Sequence, residues 1–152
     1  GLLLGVQEND CAVFDARKLP EDLQYFSPTL GEDHWDILLN SYSDLSRFFP
    51  KIESANFTSY ISGLSSYTPD GEIILGPIAE IDGLYVAAGD CGSGVSLSGG
   101  IGSVISEIIL DGKSDLYSSS FKPNRFGMVD PFDVEFLNKC ALARSAKSRK
   151  MK

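Results

Sequence analysis

The sequence has few of the residues that build metal centres and disulfide frameworks. Its 152 residues include three Cys and one His, and the Cys stand far apart at positions 11, 91 and 140 without a C-x-x-C pair. A zinc site takes about four closely spaced ligands, so we expect no metal site. Three scattered Cys also argue against a disulfide-stapled secreted domain and favour a reducing, intracellular compartment.

Long apolar runs and a leader sequence are missing too. No stretch approaches the roughly 20 apolar residues of a transmembrane helix, and no signal peptide is recognisable, so we expect no membrane span. The chain starts at Gly1 instead of Met, in residues that read as a core strand. This start predicts a segment of a longer protein, with an apolar face that the rest of the polypeptide covers or through which the isolated segment forms oligomers.

Positive charge is scarce in the first three quarters of the chain. Residues 1–112 hold 4 Lys and Arg against 17 Asp and Glu, whereas residues 113–152 hold 9 against 4, and the net charge is -8. An acidic body disfavours nucleic acid as a partner, because phosphate binding relies on clustered Lys and Arg. The basic C-terminal tail is interpreted as a solvated helix end, with a polyanion site as the alternative.

The most informative stretch runs from residue 83 to residue 112. An apolar run at residues 84–88 has the length of one buried strand, and a loop dense in glycine follows it. Apolar residues then recur at helical spacing until Asp111-Gly112 ends the pattern; they are Ile101, Val104, Ile105, Ile108 and Ile109. The sequence therefore predicts a strand, a glycine loop and an amphipathic helix in succession.

The glycine loop has two interpretations. Glycines let a backbone approach a ligand closely, and a helix N-terminus offers unpaired N–H groups that suit a phosphate or the polar edge of a flavin. However, the spacing from Gly89 to Gly94 is G-x-x-G-x-G and not the G-x-G-x-x-G of the dinucleotide fingerprint. Taken alone, the loop is equally a tight turn whose glycines only permit close packing.

Elsewhere the patterns predict an α+β protein. Strands at residues 2–6 and 12–14 would form a hairpin, residues 57–64 are rich in β formers, and residues 73–75 form a short strand. A helix would begin near residues 31–33 and end at Pro50, and a last helix would begin at Asp130-Pro131, a good N-cap and N1 pair. Thr68-Pro69-Asp70-Gly71 is a strong turn signal.

Several motifs resemble, in order, the C-terminal part of the FAD-dependent amine and amino-acid oxidoreductases, the superfamily of D-amino-acid oxidase-like proteins. Within it, the pattern is most similar to the dimethylglycine and sarcosine dehydrogenase branch. The resemblance covers residues 1 to about 127 and depends on the order of the motifs more than on any one of them. Its main carriers are Thr68-Pro69-Asp70-Gly71, Gly83-Leu84-Tyr85-Val86-Ala87-Ala88-Gly89, Ser98-Gly99-Gly100-Ile101-Gly102 and Asn124-Arg125-Phe126-Gly127.

The resemblance implies a division into three parts. Residues 1–82 would be the C-terminal half of a substrate-binding domain, with part of a mixed or antiparallel sheet. Residues 83–127 would be the strand, loop and helix that touch the flavin, and residues 128–152 a C-terminal helix and basic tail. The cofactor of the full-length protein would be FAD, the substrate a small amine, and the compartment the mitochondrial matrix or the cytoplasm.

The implied cofactor-binding residues are Gly89, Cys91, Gly92, Ser93, Gly94, Val95 and Ser96. We expect the backbone N–H groups of residues 92–96 to face the pyrimidine edge of the flavin, and Gly94 to need a positive φ. Cys91 is interpreted as a small filler residue, with a reactive thiol as the alternative. The sequence assigns no catalytic base.

The substrate side of the site has one candidate residue. Related amino-acid oxidases carry a G-x-R-P stretch before T-P-D, and its Arg can bind a substrate carboxylate. Here the matching residues are Gly63-Leu64-Ser65-Ser66, with Ser65 in place of the Arg, so the carboxylate-binding residue is unassigned. Tyr67 is a candidate for substrate contact, and a half-buried tyrosine at a strand end is the alternative.

Three functions follow from these observations. The first is the C-terminal segment of a flavin-dependent amine dehydrogenase or oxidase, inactive as an isolated segment. The second is a catalytically silent regulatory or assembly homologue with the same fold. The third is a small binding domain in which the glycine loop is only a turn.

Overall fold

The computed structural model describes residues 5, 13–22, 33–56, 58–59 and 63–150. In these ranges the chain forms three α-helices and one two-stranded sheet, which confirms the α+β class. The elements are α1 (Asp33–Phe48), β1 (Ile74–Pro77), β2 (Tyr85–Ala88), α2 (Gly94–Asp111) and α3 (Val134–Lys150), with 3-10 helices at Ala16–Lys18, Pro50–Ser54 and Ser119–Phe121.

The described residues divide into two compact units. One contains α1 and the 3-10 helices on either side of it, and the other contains everything from Ser65 onwards. The division into three parts at residues 82 and 127 stays a prediction.

The first unit contains the helix predicted before Pro50. The helix α1 ends at Phe48, and Pro50 begins a 3-10 helix, because proline fits the first turn of a helix but not its interior. The predicted strand at residues 2–6 lies outside the described residues except for Gly5. Val13, Phe14 and the described part of residues 57–64 are not in strands.

The second unit is built on an antiparallel hairpin. The strands β1 and β2 pair in the register Ile74 with Ala88 and Pro77 with Tyr85. The connection of residues 78–84 is closed by a hydrogen bond from the Ile78 N–H to the Leu84 carbonyl oxygen (2.9 Å). The two short strands predicted at residues 73–75 and 84–88 are therefore confirmed, and they are partners in one sheet.

The helix α2 packs its apolar stripe on this hairpin. Ile73 and Leu75 form a buried cluster with Val104 and Ile108 of α2, which is the face that the helical spacing predicted. Gly112 ends the helix in the left-handed conformation with φ of 74°, as predicted for a glycine after the last apolar residue. The helix begins at Gly94, however, seven residues before the first apolar position at Ile101, so residues 94–100 are helix and not loop.

By length and composition alone, α2 is the one helix among the described residues that is apolar enough to cross a membrane. The core helix of a globular protein passes the same test, and α2 buries Val104 and Ile108 against the hairpin. The expected absence of a membrane span stays a prediction.

The start of α3 differs from the sequence-based expectation. Asp130 and Pro131 form a turn in which the Asp130 carboxylate accepts a hydrogen bond from the Phe132 N–H (2.9 Å). The helix begins at Val134, and the Asp133 carboxylate caps it by accepting from the Phe136 N–H (3.0 Å). The N-cap is therefore Asp133 and not the predicted Asp130, because the Asp130 carboxylate is already bonded within the preceding turn.

A substitution at Gly76 tests how tightly β1 packs in this unit. Its φ is +128°, and a Cβ at this position would overlap the Tyr117 hydroxyl group. Gly76→Ala is expected to lower the free energy of unfolding by about 1–3 kcal/mol from backbone strain, with overpacking added. Denaturant unfolding measures this, with Gly99→Ala as the control, because a Cβ at Gly99 meets nothing within 4 Å in α2. Equal stabilities of the two variants would contradict this account of the packing.

Candidate functional site

The turn between β2 and α2 is held in a left-handed backbone conformation. Gly89 has φ of 62°, Cys91 of 52° and Gly92 of 72°. Cys91 is the only residue other than glycine with a positive φ in the described part of the chain. A side chain in this region of φ is uncommon and carries strain, so the surrounding contacts must hold the turn in place.

Cys91 is the anchor of this turn. Its side chain is 3% exposed, and its N–H donates to the Ser66 carbonyl oxygen (3.1 Å). The Cys91 Sγ donates to the Gly89 carbonyl oxygen (3.2 Å) and lies 3.4 Å from the Thr68 Oγ1. These contacts support the interpretation of Cys91 as a small buried residue that fills space and fixes the turn.

Gly89 is required by the same packing. A Cβ at this position would lie 2.6 Å from the Thr68 Cγ2 atom. The buried Thr68 thus contacts the turn through its methyl group at Gly89 and through its hydroxyl group at Cys91. The turn at residues 89–92 therefore packs against the turn at residues 66–71.

Asp90 occupies part of the N-terminus of α2. Its backbone carbonyl oxygen accepts a hydrogen bond from the Ser93 N–H (2.9 Å), and its carboxylate accepts one from the Gly94 N–H. Two of the five donors expected to face a flavin therefore already have a partner. The first helical hydrogen bond of α2 runs from Leu97 to Ser93 (3.0 Å).

Three of the five donors remain: Gly92 precedes the helix, and the N–H groups of Val95 and Ser96 are the ones that the first turn of α2 leaves open. Within the described part of the chain, no group accepts a hydrogen bond from either of them. The Val95 side chain is 95% exposed. Because Gly94 lies in the first helical turn and is not among the residues with positive φ, the expected need for a left-handed glycine there is wrong. Gly94 is glycine for another reason: a Cβ would lie 2.7 Å from the Asp90 Oδ2 atom.

We call the turn at residues 89–92 and the first turn of α2 (residues 93–96) the corner. A groove of about 570 Å³ lies beside it. Its wall includes Cys91 and Ser93 from the turn, Leu97 and Ile101 from α2, and Tyr67. Two of the cofactor candidates, Cys91 and Ser93, therefore line one groove with the substrate candidate Tyr67, which the sequence did not show. The other cofactor candidates are not among its lining residues; they are Gly89, Gly92, Gly94, Val95 and Ser96. Ala143 and Ala146 of α3 also line the groove.

Tyr67 also contacts α3. The Arg144 guanidinium carbon lies 5.6 Å from the centroid of the Tyr67 ring, within the range of a cation–π contact. The half-buried position of Tyr67 agrees with either interpretation of this residue, because its ring both packs against a neighbour and lines the groove. Sequence reasoning missed Arg144 and Asp90, because neither stands in a motif that predicts its contact.

The two motifs Thr68-Pro69-Asp70-Gly71 and Asn124-Arg125-Phe126-Gly127 meet in an ion pair. Arg125 donates from Nε to Asp70 Oδ2 (2.8 Å) and from Nη2 to Asp70 Oδ1 (3.0 Å), a bidentate pair. The first motif is the predicted turn, with Gly71 at φ of 75° and its N–H bonded to the Thr68 carbonyl oxygen (3.2 Å). The guanidinium of Arg125 also stacks on the Phe126 ring at 4.3 Å.

The hydrogen bonds from Arg125 hold the pKa of Asp70 at about 2, below its ordinary value of 3.8, and the Glu72 N–H and the Thr68 hydroxyl group act in the same direction. A depressed folded-state pKa stabilises the fold above the unfolded-state pKa, and this contribution is lost as the pH falls through the folded-state pKa. Stability is therefore expected to fall between about pH 4 and pH 2.

Unfolding curves across this pH range test the expectation, and Asp70→Asn should remove part of the pH dependence. Asp15→Asn is the comparison, since the Arg17 hydrogen bonds also lower the pKa of Asp15 to about 2. This variant should remove a separate part of the pH dependence, so the double variant should lose more of it than either single variant. A carboxyl titration of Asp70 with a midpoint near 3.8 would contradict the ion pair.

A hairpin that leads through a left-handed turn into the open N-terminus of a helix presents unpaired N–H groups of the kind that suit an anionic or electron-rich group. Residues 3–108 match the family model described as FAD dependent oxidoreductase. The match covers more than half of the chain, so the chain belongs to the FAD-dependent oxidoreductase family. The cofactor of this family is FAD.

Curated relatives include amine-oxidising enzymes and one regulatory protein. The chain is 27% identical over 82% of its length to 4-methylaminobutanoate oxidase (formaldehyde-forming) of Paenarthrobacter nicotinovorans. It is 30% identical over 82% to the mitochondrial pyruvate dehydrogenase phosphatase regulatory subunit of Mus musculus. It is 28% identical over 67% to the mitochondrial dimethylglycine dehydrogenase of Homo sapiens. The chain spans 15%, 14% and 12% of these relatives, and no solved structure matches it.

Proposed function

We propose that this chain is the C-terminal segment of the FAD-containing part of an amine dehydrogenase or oxidase that acts on an N-methylglycine-type substrate. The observation that carries the proposal is the turn and open helix start at residues 89–96. These residues lie within the segment that matches the FAD-dependent oxidoreductase family. Relatives named for dimethylglycine, sarcosine and 4-methylaminobutanoate support the substrate class, because all three compounds are N-methylated amino acids.

The residues of the corner fit one edge of a flavin. The open N–H groups of Val95 and Ser96 are main-chain donors on an exposed helix N-terminus, where the helix dipole adds a partial positive charge. The Asp90 carboxylate holds the Gly94 N–H, so this residue fixes the helix start and leaves donation to the two following residues. Donors aimed at an electron-rich ring edge stabilise the charge that develops there on reduction.

Each part of the chain then has a role in the reaction. FAD, when bound, would supply the redox chemistry, as the acceptor of a hydride from the carbon beside the substrate nitrogen. Val95 and Ser96 orient the cofactor edge and stabilise its charge. Leu97 and Ile101 give the groove an apolar wall, which excludes water from the reacting atoms. Tyr67 lies on the same groove, where its ring would contact the substrate.

A silent regulatory or assembly homologue is the second candidate. One observation favours it: the relative at 30% identity is named as a regulatory subunit. Ser65 in place of the carboxylate-binding Arg agrees with either candidate. Relatives named as mitochondrial support the mitochondrial matrix as the compartment of the full-length protein, and organelle fractionation tests this against the cytoplasm.

Flavin spectroscopy of the full-length protein separates the candidates. The purified protein is expected to carry flavin absorbance and to lose it under anaerobic conditions when sarcosine, dimethylglycine or 4-methylaminobutanoate is added. Bound flavin that none of these compounds reduces would favour the regulatory candidate. A folded full-length protein without flavin would contradict the enzyme and favour the regulatory candidate.

A further inference from the structure

Arg125 is the centre of a hydrogen-bond network that reaches well beyond one ion pair. Besides the bidentate pair with Asp70, its Nη2 donates to the Glu72 carbonyl oxygen (2.7 Å) and its Nη1 to the Phe121 carbonyl oxygen (3.4 Å). The side chain is 9% exposed. The guanidinium group thus ties the turn at residues 68–72 to the segment before the Asn124-Arg125-Phe126-Gly127 motif.

The network continues from Asp70 to the turn at residues 89–92. The Thr68 Oγ1 atom lies 3.0 Å from Asp70 Oδ1 and 2.7 Å from the Glu72 carbonyl oxygen, so its one proton is shared between these two acceptors. The same hydroxyl oxygen lies 3.4 Å from the Cys91 Sγ, and the Thr68 methyl group packs where a Cβ of Gly89 would stand. Arg125 therefore acts on the left-handed turn through two intermediates, Asp70 and Thr68.

This ion pair fixes the orientation of the Asp70 carboxylate more than it stabilises the fold. The Asp70 side chain is 37% exposed, so solvent screens the attraction and limits its effect on stability. A bidentate guanidinium, by contrast, fixes the orientation of the carboxylate. The Asp70 Oδ1 atom also accepts from the Glu72 N–H (3.0 Å), which leaves the carboxylate little freedom to rotate.

We propose that Arg125 is a positioning residue for the cofactor. By fixing Asp70 and Thr68, it holds the turn at residues 89–92 in the conformation that directs the Val95 and Ser96 N–H groups towards the cofactor. This inference rests on the proposed function. A structural role alone would stabilise the fold without affecting the cofactor, and the two roles give different results in one experiment.

The experiment uses the full-length flavoprotein and Arg125→Lys, which keeps the positive charge but cannot form the bidentate pair. The dissociation constant for FAD is expected to rise about tenfold, which corresponds to about 1.4 kcal/mol, and the reduction potential should shift. The difference in Tm between the FAD-bound and FAD-free forms should narrow, because that difference follows FAD affinity. The matched control is Lys139→Gln, which breaks an exposed ion pair of α3 (Nζ to Glu135 Oε1, 2.9 Å) and should leave FAD affinity unchanged.

Asp70→Asn is a second variant that tests the same ion pair if Arg125→Lys does not fold. It removes the other partner with little change of shape, and it should weaken FAD binding in the same direction, with the double variant no weaker than the stronger single one. Equal losses of Tm in both forms with an unchanged FAD dissociation constant would overturn the positioning role and leave the proposed function standing. A parent protein that binds no FAD would overturn both.

Discussion

Gly94→Val in the full-length protein is expected to lower FAD affinity by on the order of a hundredfold, or about 2.7 kcal/mol, and to lower the reduction potential of the remaining flavin. A Cβ at residue 94 would stand 2.7 Å from the Asp90 Oδ2 atom, so the carboxylate must leave the Gly94 N–H. Loss of a helix cap costs about 0.5–2 kcal/mol by itself. The displaced first turn would then carry the Val95 and Ser96 donors away from the flavin, and the reduced anion would lose their stabilisation.

Ser93→Ala is the comparison for this substitution. Ser93 contributes to the corner through its backbone, since its N–H donates to Asp90 and its carbonyl oxygen accepts from Leu97. The loss of its hydroxyl group should therefore affect flavin far less than Gly94→Val does. If Gly94→Val lowers Tm while flavin occupancy and potential stay at parent values, the turn is a packing feature only.

The 152-residue chain alone is expected to bind FAD weakly or not at all, and titration followed by flavin fluorescence measures this. No G-x-G-x-x-G or G-x-x-x-x-G-K-[ST] motif occurs in residues 1–152, so the chain has no recognisable loop to cradle the pyrophosphate. Two main-chain donors at a helix N-terminus contribute only about 1–3 kcal/mol. Micromolar binding requires about 8 kcal/mol.

The full-length protein is the positive control for this titration. It should bind FAD tightly under the same conditions, because the family is FAD-dependent. Micromolar affinity of the isolated chain would contradict the expectation that it lacks the loop that holds the pyrophosphate.

The elements that the sequence predicted correctly are those determined by neighbouring residues. The turn at Thr68-Pro69-Asp70-Gly71, the two short strands of the hairpin and the end of α2 at Gly112 are confirmed. Each depends on residues that stand together in the sequence. The buried face of α2 also followed the helical spacing of its apolar residues.

Three features were not predicted, one because it is a tertiary contact and two because the local residues are poor signals for them. The first seven residues of α2 are rich in Gly and Ser, which have low helix propensity, and the Asp90 carboxylate caps them. Asp70 and Arg125 are 55 residues apart, so no local pattern indicates their pairing. The left-handed Cys91 was hidden because glycine is the usual signal for a positive φ.

The central claim, that the start of α2 contacts the flavin, is tested most directly by amide hydrogen exchange of the full-length protein with and without FAD. The account predicts that exchange at Val95 and Ser96 slows at least about tenfold on binding, because their N–H groups gain an acceptor. The connection at residues 78–84, which belongs neither to the turn at residues 89–92 nor to the start of α2, should exchange at an unchanged rate. Full FAD occupancy with unchanged exchange at Val95 and Ser96 would contradict the account.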